Sequence, residues 1–243
     1  MLNAALTDMA SAGTSMRLYD YNANFATGGA FLPNTTNGPT YPTFPNVEEA
    51  MFVKEFGSIF ATGLNAIVAS PHTVSLYDNS DLRLRFFINT PYGGGVPFVA
   101  GMLRKYGPNV SNFGMRVPEL YLLRAECKAR LNDLPGAKAD IEALRIKRMP
   151  AANAPVPAAI ATQQIPLLRF IMDERVREFA IDGFRWFDMR RLSVDPLIPQ
   201  TSFYHTLYRS ATDTTHYDMR PDRLTMRLPQ VIIDQNPGMQ NNP

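Results

Sequence analysis

A mainly α fold, built from helix pairs with long irregular loops and one or two short strands, follows from three features of the 243-residue sequence. Twelve of its 15 glycines lie at or before Gly114. Glycine loses so much backbone entropy on ordering that this first part should be loop-rich. Beyond residue 116, apolar residues recur at helical spacing in a background of Ala, Leu, Arg and Glu, a composition that favours helices. One segment alternates with period two: Leu82, Leu84, Phe86 and Ile88 interleave with Arg83, Arg85 and Phe87, which predicts a half-buried strand. The chain therefore reads as a single region, 1–243, in three parts: loop-rich over 1–115, a helical core over 116–191 and an extended tail over 192–243.

Taken in order, Leu2, Ala5, Leu6 and Met9 repeat at helical spacing before Gly13, a helix with a glycine stop. Residues 28–46 carry four prolines and no periodicity, and a loop that long is usually functional or mobile. Asn46 with Glu49 could open a helix as a capping box, yet the aromatic and β-branched content of the following residues also suits a strand. Pro118 can start a helix at its first position, where its missing N–H costs nothing. Leu120, Leu123, Cys127 and Leu131 then form an apolar stripe. Asn132-Asp133 ends that helix, and Pro135-Gly136 starts another with Ala137, Ile141, Ala143 and Leu144 inside. So short a turn makes the pair antiparallel, and Ala125, Ala129, Ala137 and Ala139 would let the backbones approach closely. The unit 116–148 has the size of a tetratricopeptide-type repeat without its full consensus. The longest helix carries Leu168, Ile171, Met172, Val176, Phe179 and Ala180, ending near Asp182-Gly183. A short amphipathic piece, FRWFDMRR, follows, and the proline-bearing tail should wrap the helices as coil.

Composition excludes several functions. With 24 Lys+Arg against 22 Asp+Glu the net charge is +2, and the basic residues are dispersed, so nucleic acid is not an expected partner. One cysteine, Cys127, rules out an intrachain disulfide and reads as a small core residue. His72, His205 and His216 lack metal-ligand spacing, and Gly93-Gly94-Gly95 lacks the Lys-Ser/Thr that completes a phosphate loop. No cofactor is expected. Glu174 and Glu178 share a helix face and could be paired acids, but Arg175, Arg177 and Arg185 crowd the same run. Neighbouring guanidinium groups keep a carboxylate ionised, which makes a poor general acid. A structural ion-pair network is the better reading.

At this point the sequence resembles a family. YLLRAECKARLNDLPGAKADIEALRIKR, followed by ERVREFAIDGFRWFDMRR at 174–191, is similar to the carboxyl-terminal half of SusD/RagB proteins. The pieces that carry it are Ala125-Glu126, the Asp133 to Ala137 turn, Glu174-Arg175, Glu178-Phe179 and the Gly183 to Asp188 corner. Weaker likenesses cover SMRLYDYNANF, NVEEAMFVKEF (there usually a short strand), Asp81-Leu82-Arg83 and the tail RLPQVIIDQNPGMQNNP. The resemblance implies a SusD-like fold in which Glu126, Glu174, Arg175, Glu178, Arg185, Trp186 and Asp188 are structural. For Trp186, a packing role is favoured over sugar stacking.

The same resemblance implies a non-enzymatic receptor of the outer-membrane surface, in Bacteroidetes, that captures a glycan or similar nutrient. It would deliver this ligand to a SusC-like TonB-dependent transporter. Family members are longer and start with a lipoprotein signal whose cysteine is acylated, so an amino-terminal half with the lipid anchor is expected upstream. Sugars present an apolar face and a hydroxyl rim, and loops that pair aromatics with amides suit both. Tyr41, His72, Tyr77, Asn89 and Tyr92 are the candidate ligand residues on that ground. The competing reading is a helical-repeat scaffold that docks a protein, which would need an Ala/Leu-lined helical surface left open to solvent.

Overall fold

The computed structural model describes residues 1–11, 16–32, 39, 49–56, 67–91, 98–105, 111–199, 202, 204–218, 220 and 224–242. The body is the helix pair α4 (Val117–Arg130) and α5 (Leu134–Arg145) with α7 (Gln164–Glu178) laid across it. The Asp140 carboxylate receives Arg124 and Lys128, and the Lys128 amine also reaches the Gly136 carbonyl, which fixes the pair as antiparallel. The turn between them is set by chemistry at three residues. Asn132 takes a left-handed φ of 65°, which asparagine tolerates better than most side chains. Asp133 then caps α5 by accepting from the Gly136 N–H at 3.0 Å. A Cβ on Gly136 would lie 2.2 Å from that carboxylate, so the cap requires glycine.

The apolar core joins Ala125, Ala129, Ala137 and Ile141 to Leu167, Leu168 and Ile171, with Val156 and Ile198 closing its ends. Short α6 (Ala158–Ala161) packs beside α7, and α8 (Phe184–Leu192) follows Gly183, whose φ of 83° places it in the left-handed region. At the amino-terminal side, α1 (Leu2–Ser11) rests Leu2, Ala5 and Leu6 on Val117 and Leu120. The one-turn α2 (Tyr21–Asn24) is capped by Asp20, and Tyr21 donates its N–H to the Lys147 carbonyl at 2.9 Å. Tyr19, Tyr21, Phe25, Phe31 and Phe86 form a second, aromatic core with mostly edge-to-face contacts at 5.0–6.0 Å.

Among the described residues the strands are short and more numerous than one or two. β1 (Ala50–Phe56) pairs antiparallel with β5 (Ser111–Arg116), with an irregularity between Ala50 and Phe52. This settles the ambiguity at residues 50–56 in favour of strand. β2 (Val68–Ala69) and β3 (Phe87–Ile88) flank β4 (Leu103–Lys105), and α3 (Pro71–Ser75) starts on a Ser70 cap. In the tail, β6 (Tyr204–Tyr208) and β7 (Thr214–Asp218) form a hairpin, followed by α9 (Gln230–Asp234). The tail was expected as coil wrapped on the helices. Instead Leu192, Ile198 and Leu224 are its buried residues among those described, and 226–242 lie largely exposed.

Two further expectations fail for identifiable reasons. Leu82–Ile88 is not one strand: Leu82–Phe86 is a 3-10 helix, capped by an Asp81 carboxylate that accepts from the Arg83 N–H at 3.0 Å. The period-two pattern misleads because Arg83 is buried and ion-paired while Arg85 is exposed, so the polar positions do not share one wet face. On α4 the buried positions are Val117, Pro118, Leu120, Leu122, Ala125, Glu126 and Ala129, whereas Cys127 is exposed and Leu131 is 82% exposed. Close helix contact selects the small alanines; of the expected stripe Leu120 is buried and Leu123 half-buried, while Cys127 and Leu131 turn outward. Ile171→Ala should therefore cost about 2–5 kcal/mol of unfolding free energy, and Leu131→Ala less than about 0.5 kcal/mol. Urea unfolding of the two variants checks this.

Candidate functional site

The Glu- and Arg-rich run of α7 meets three other segments in the interior. Glu178 accepts from Arg83 Nη1 at 2.9 Å and from Arg148 Nη2 at 2.9 Å. Arg148 also donates to Glu49 Oε1 at 2.6 Å and to the Tyr19 carbonyl at 2.7 Å, with its guanidinium 4.3 Å from the Tyr21 ring centroid. Glu174 accepts from Arg145 Nη1 at 2.8 Å and Arg177 Nη2 at 2.7 Å, and Arg83 Nη2 approaches its other oxygen at 2.7 Å. Asp81 holds Arg83 through Nε at 2.9 Å and Nη2 at 2.6 Å. Four guanidinium groups (Arg83, Arg145, Arg148, Arg177) thus face four carboxylates (Glu49, Asp81, Glu174, Glu178), all buried.

A second cluster ties α8 to the helix pair. Glu126 accepts from both Arg191 Nη1 and Nη2, at 2.5 and 2.8 Å, and from Arg130 Nε at 2.9 Å. Asp188 accepts from Arg175 and Arg191, each at 2.9 Å. Burial alone would raise the pKa values of Glu174 and Glu178. Arg83, Arg177 and Arg145 outweigh it at Glu174 and hold that carboxyl well below the usual range, while Arg148 and Arg83 hold Glu178 at about 2. Carboxylates so saturated cannot donate a proton near neutrality. Glu49 moves the other way, its pKa raised because desolvation exceeds the pull of Arg148.

Of the residues assigned structural roles, Glu126, Glu174, Arg175, Glu178 and Asp188 are buried. Arg185 is exposed and Trp186 only half-buried, because α8 presents this part of its surface outward. The candidate ligand residues separate. His72 on α3 and Asn89 after β3 are exposed. Tyr77 is 7% exposed, its hydroxyl donating to the Arg177 carbonyl at 2.6 Å and its ring edge-on to Phe87. It anchors the turn after α3 and offers no open face, and burial pushes the pKa of its hydroxyl up. Tyr41 and Tyr92, with the glycine run, lie outside the described residues.

The sequence did not mark Glu49, Asp81, Arg83, Arg145 and Arg148 as members of a buried ion-pair network: Glu49 reads there as a capping-box partner and Arg83 as the polar side of a strand. Arginines on an otherwise apolar alternation at 82–88 were the available signal. On the surface, Met115, Phe184 and Phe187 line an open, largely apolar groove of about 390 Å³ with Glu119 and Asp182 at its edge. Asp182 there is bound to Lys105 at 2.7 Å and Arg116 at 2.6 Å. Among the described residues no cluster of three His, Cys, Asp or Glu could hold a metal, and no helix is long and apolar enough to cross a membrane.

The SusD family model matches residues 100–243, the stretch that holds both charge clusters except for Glu49, Asp81 and Arg83. The chain belongs to the SusD family. Its backbone superposes on a SusD superfamily protein from Bacteroides thetaiotaomicron VPI-5482 with a TM-score of 0.62 at 19% identity, covering all of this chain and 56% of that one. A protein from Bacteroides vulgatus ATCC 8482, assigned a sugar-binding role, superposes at 0.61 with 19% identity, covering all of this chain and 55% of that one. The chain thus spans little more than half the length of these structures, and at such identity they establish its fold. No curated protein matches it. SusD-family proteins are non-catalytic binding proteins and lipoproteins of the outer-membrane surface.

The depressed carboxyls set a pH dependence. A group whose folded pKa lies below its unfolded value stabilises the fold above the unfolded pKa, and that contribution is lost as pH falls through the folded value. For Glu178 the window runs from about 4.5 down to about 2. Glu49, with its raised pKa, contributes with the opposite sign. The melting temperature should stay level from about pH 7 to 5 and fall across that window, less steeply in Glu178→Gln. A melting temperature level down to pH 2 would contradict the assignment.

Proposed function

We propose that this chain is the ligand-side and helical-core portion of a surface receptor. It captures an oligosaccharide or similar nutrient without cleaving it and passes it to a SusC-like TonB-dependent transporter in the outer membrane. Membership of the SusD family carries this reading, and the sugar-binding role assigned to the Bacteroides vulgatus structure supports the ligand class. In this reading the helix pairs, repeat-like in arrangement, are the rigid part, a lipid anchor holds the receptor at the cell surface, and loops of the first part supply contacts. His72 and Asn89 stand exposed there, and Tyr41 and Tyr92 belong to the same loop system in sequence. Burial of Tyr77 removes it from the contact set.

The scaffold reading is less well supported. It requires an open Ala/Leu-lined helical face, and Ala125, Ala129 and Ala137 are fully enclosed against α7. Capture by stacking and hydroxyl hydrogen bonds depends little on ionic strength. Calorimetry with a glycan identified on an array should show Tyr92→Ala and Asn89→Ala weakening binding tenfold or more. Raising salt from about 50 to 500 mM should change the wild-type affinity less than about twofold. Full affinity in both variants would move the site elsewhere, and a steep salt dependence would argue for a charged partner.

A further inference from the structure

The corner between α7 and α8 is held in a strained shape. Ile181 has a φ of 67°, an outlier for a β-branched side chain, and Gly183 follows in the left-handed region. Lys105 fastens the corner by donating to the Ala180 carbonyl at 2.9 Å and to the Asp182 carboxylate at 2.7 Å. Arg116 donates to the other Asp182 oxygen at 2.6 Å. Just beyond, Phe184 stacks on the buried Phe179 ring with centroids 4.4 Å apart. These contacts fix one wall of the open groove of about 390 Å³ that Met115, Phe184 and Phe187 line. Strain held this firmly preforms the groove before anything occupies it.

The apolar residues of the groove stay wet, Met115 being 42% and Phe187 66% exposed. Glu119, at the edge of the groove in the first turn of α4, is half-buried and has no hydrogen-bond or ion-pair partner among the described residues. The guanidinium groups near it are committed, Arg175 to Asp188 and Arg116 to Asp182. Burial raises the Glu119 pKa against their pull, so its carboxylate gains from a further cation. Arg190 lies one turn beyond Phe187 on α8, exposed, and its guanidinium also has no partner among the described residues. One patch therefore joins an apolar groove, an exposed ring, an unpaired acid and an unpaired base, a set complementary to itself. A neutral sugar would turn its hydroxyls toward Met115 and the two phenyl rings, whereas an aromatic side chain suits them.

We infer that this corner is an interface between two copies of the chain related by a twofold axis. Phe187 of each copy enters the groove of the other against Met115 and Phe184, and Arg190 of each reaches the Glu119 of the other. Each contact occurs twice, so both acids and both bases are paired. One groove per copy makes a small interface, and association is accordingly weak and concentration-dependent. The inference goes beyond the capture reading and does not depend on it.

Sedimentation equilibrium of the full chain from about 5 to 500 μM, the range in which small interfaces assemble, tests this. The weight-average mass should climb from the monomer value toward twice that value. Phe187→Ala should weaken association about tenfold or more with melting temperature unchanged, and Leu131→Ala, just past the other end of α4, should leave it within about twofold. Arg190→Glu and Glu119→Lys should each stay monomeric alone, because each sets like charges opposite one another. Mixed one to one they should associate again, since the twofold axis then brings an acid against a base on both sides. Should Glu119→Lys unfold the chain, Arg190→Glu, on an exposed side chain, decides the charge pairing by itself. A wild type that stays monomeric throughout overturns the interface and gives the groove to another occupant. Association that survives Phe187→Ala, or that Arg190→Glu leaves at the wild-type level, overturns it as well.

Discussion

Eight charged side chains are sealed in the interior where α7 meets the loop-rich part of the chain, and their arrangement constrains everything around them. An isolated buried charge costs several kcal/mol, so each of these groups can be buried only because its partners are in place. The partners come from four stretches of sequence: Glu49 before β1, the Asp81–Arg83 turn, Arg145 and Arg148 at the end of α5, and Glu174, Arg177 and Glu178 on α7. Backbone is drawn in as well, through the Tyr19 N–H on Glu49 and the Tyr19 carbonyl on Arg148. Ordering one of these segments without the others would leave an unpaired ion. The loop-rich part is thereby tied to the helical body by electrostatic need as much as by apolar burial.

That arrangement also decides the chemistry. The carboxylates that a sequence search would nominate as acids are the ones most heavily paired, and guanidinium groups keep Glu174 and Glu178 ionised. Such groups hold shape. From α7, Arg177 on the Leu76 carbonyl ties down the end of α3 and the Arg175–Asp188 pair ties down α8. In the proposed receptor this rigidity would reduce the entropy lost on meeting a ligand.

The helical body was legible because its signals are local. Pro118 opens α4, Asp133 with Gly136 caps α5, and the apolar spacing around Ile171 marks α7. The corner run at 183–188 carried the family likeness, and its environment explains its composition in part: Asp188 is a buried acceptor for two arginines, while Arg185 stays exposed. What misled was side-chain direction. Arg83 looked like the wet side of a strand and is buried, Cys127 and Leu131 looked like core and are exposed, and Tyr77 looked like a platform and is an anchor. In each case a deciding partner lies far away in sequence: Glu174 and Glu178 for Arg83, Arg177 for Tyr77, and Leu167, Leu168 and Ile171 of α7 for α4. The tail hairpin escaped notice because its Thr- and Tyr-rich strands pair with each other and carry no apolar stripe that periodicity could detect.

A double-mutant cycle on Arg148 and Glu178, read by urea unfolding, reaches the central claim most directly. If the interior ions depend on one another, Arg148→Met and Glu178→Gln should each cost about 3–5 kcal/mol, because each strands a buried charge. The double variant should then cost clearly less than the sum, with a coupling of about 1–3 kcal/mol. Single costs below about 1 kcal/mol that simply add would contradict it, and the fold would then rest on its apolar seams alone.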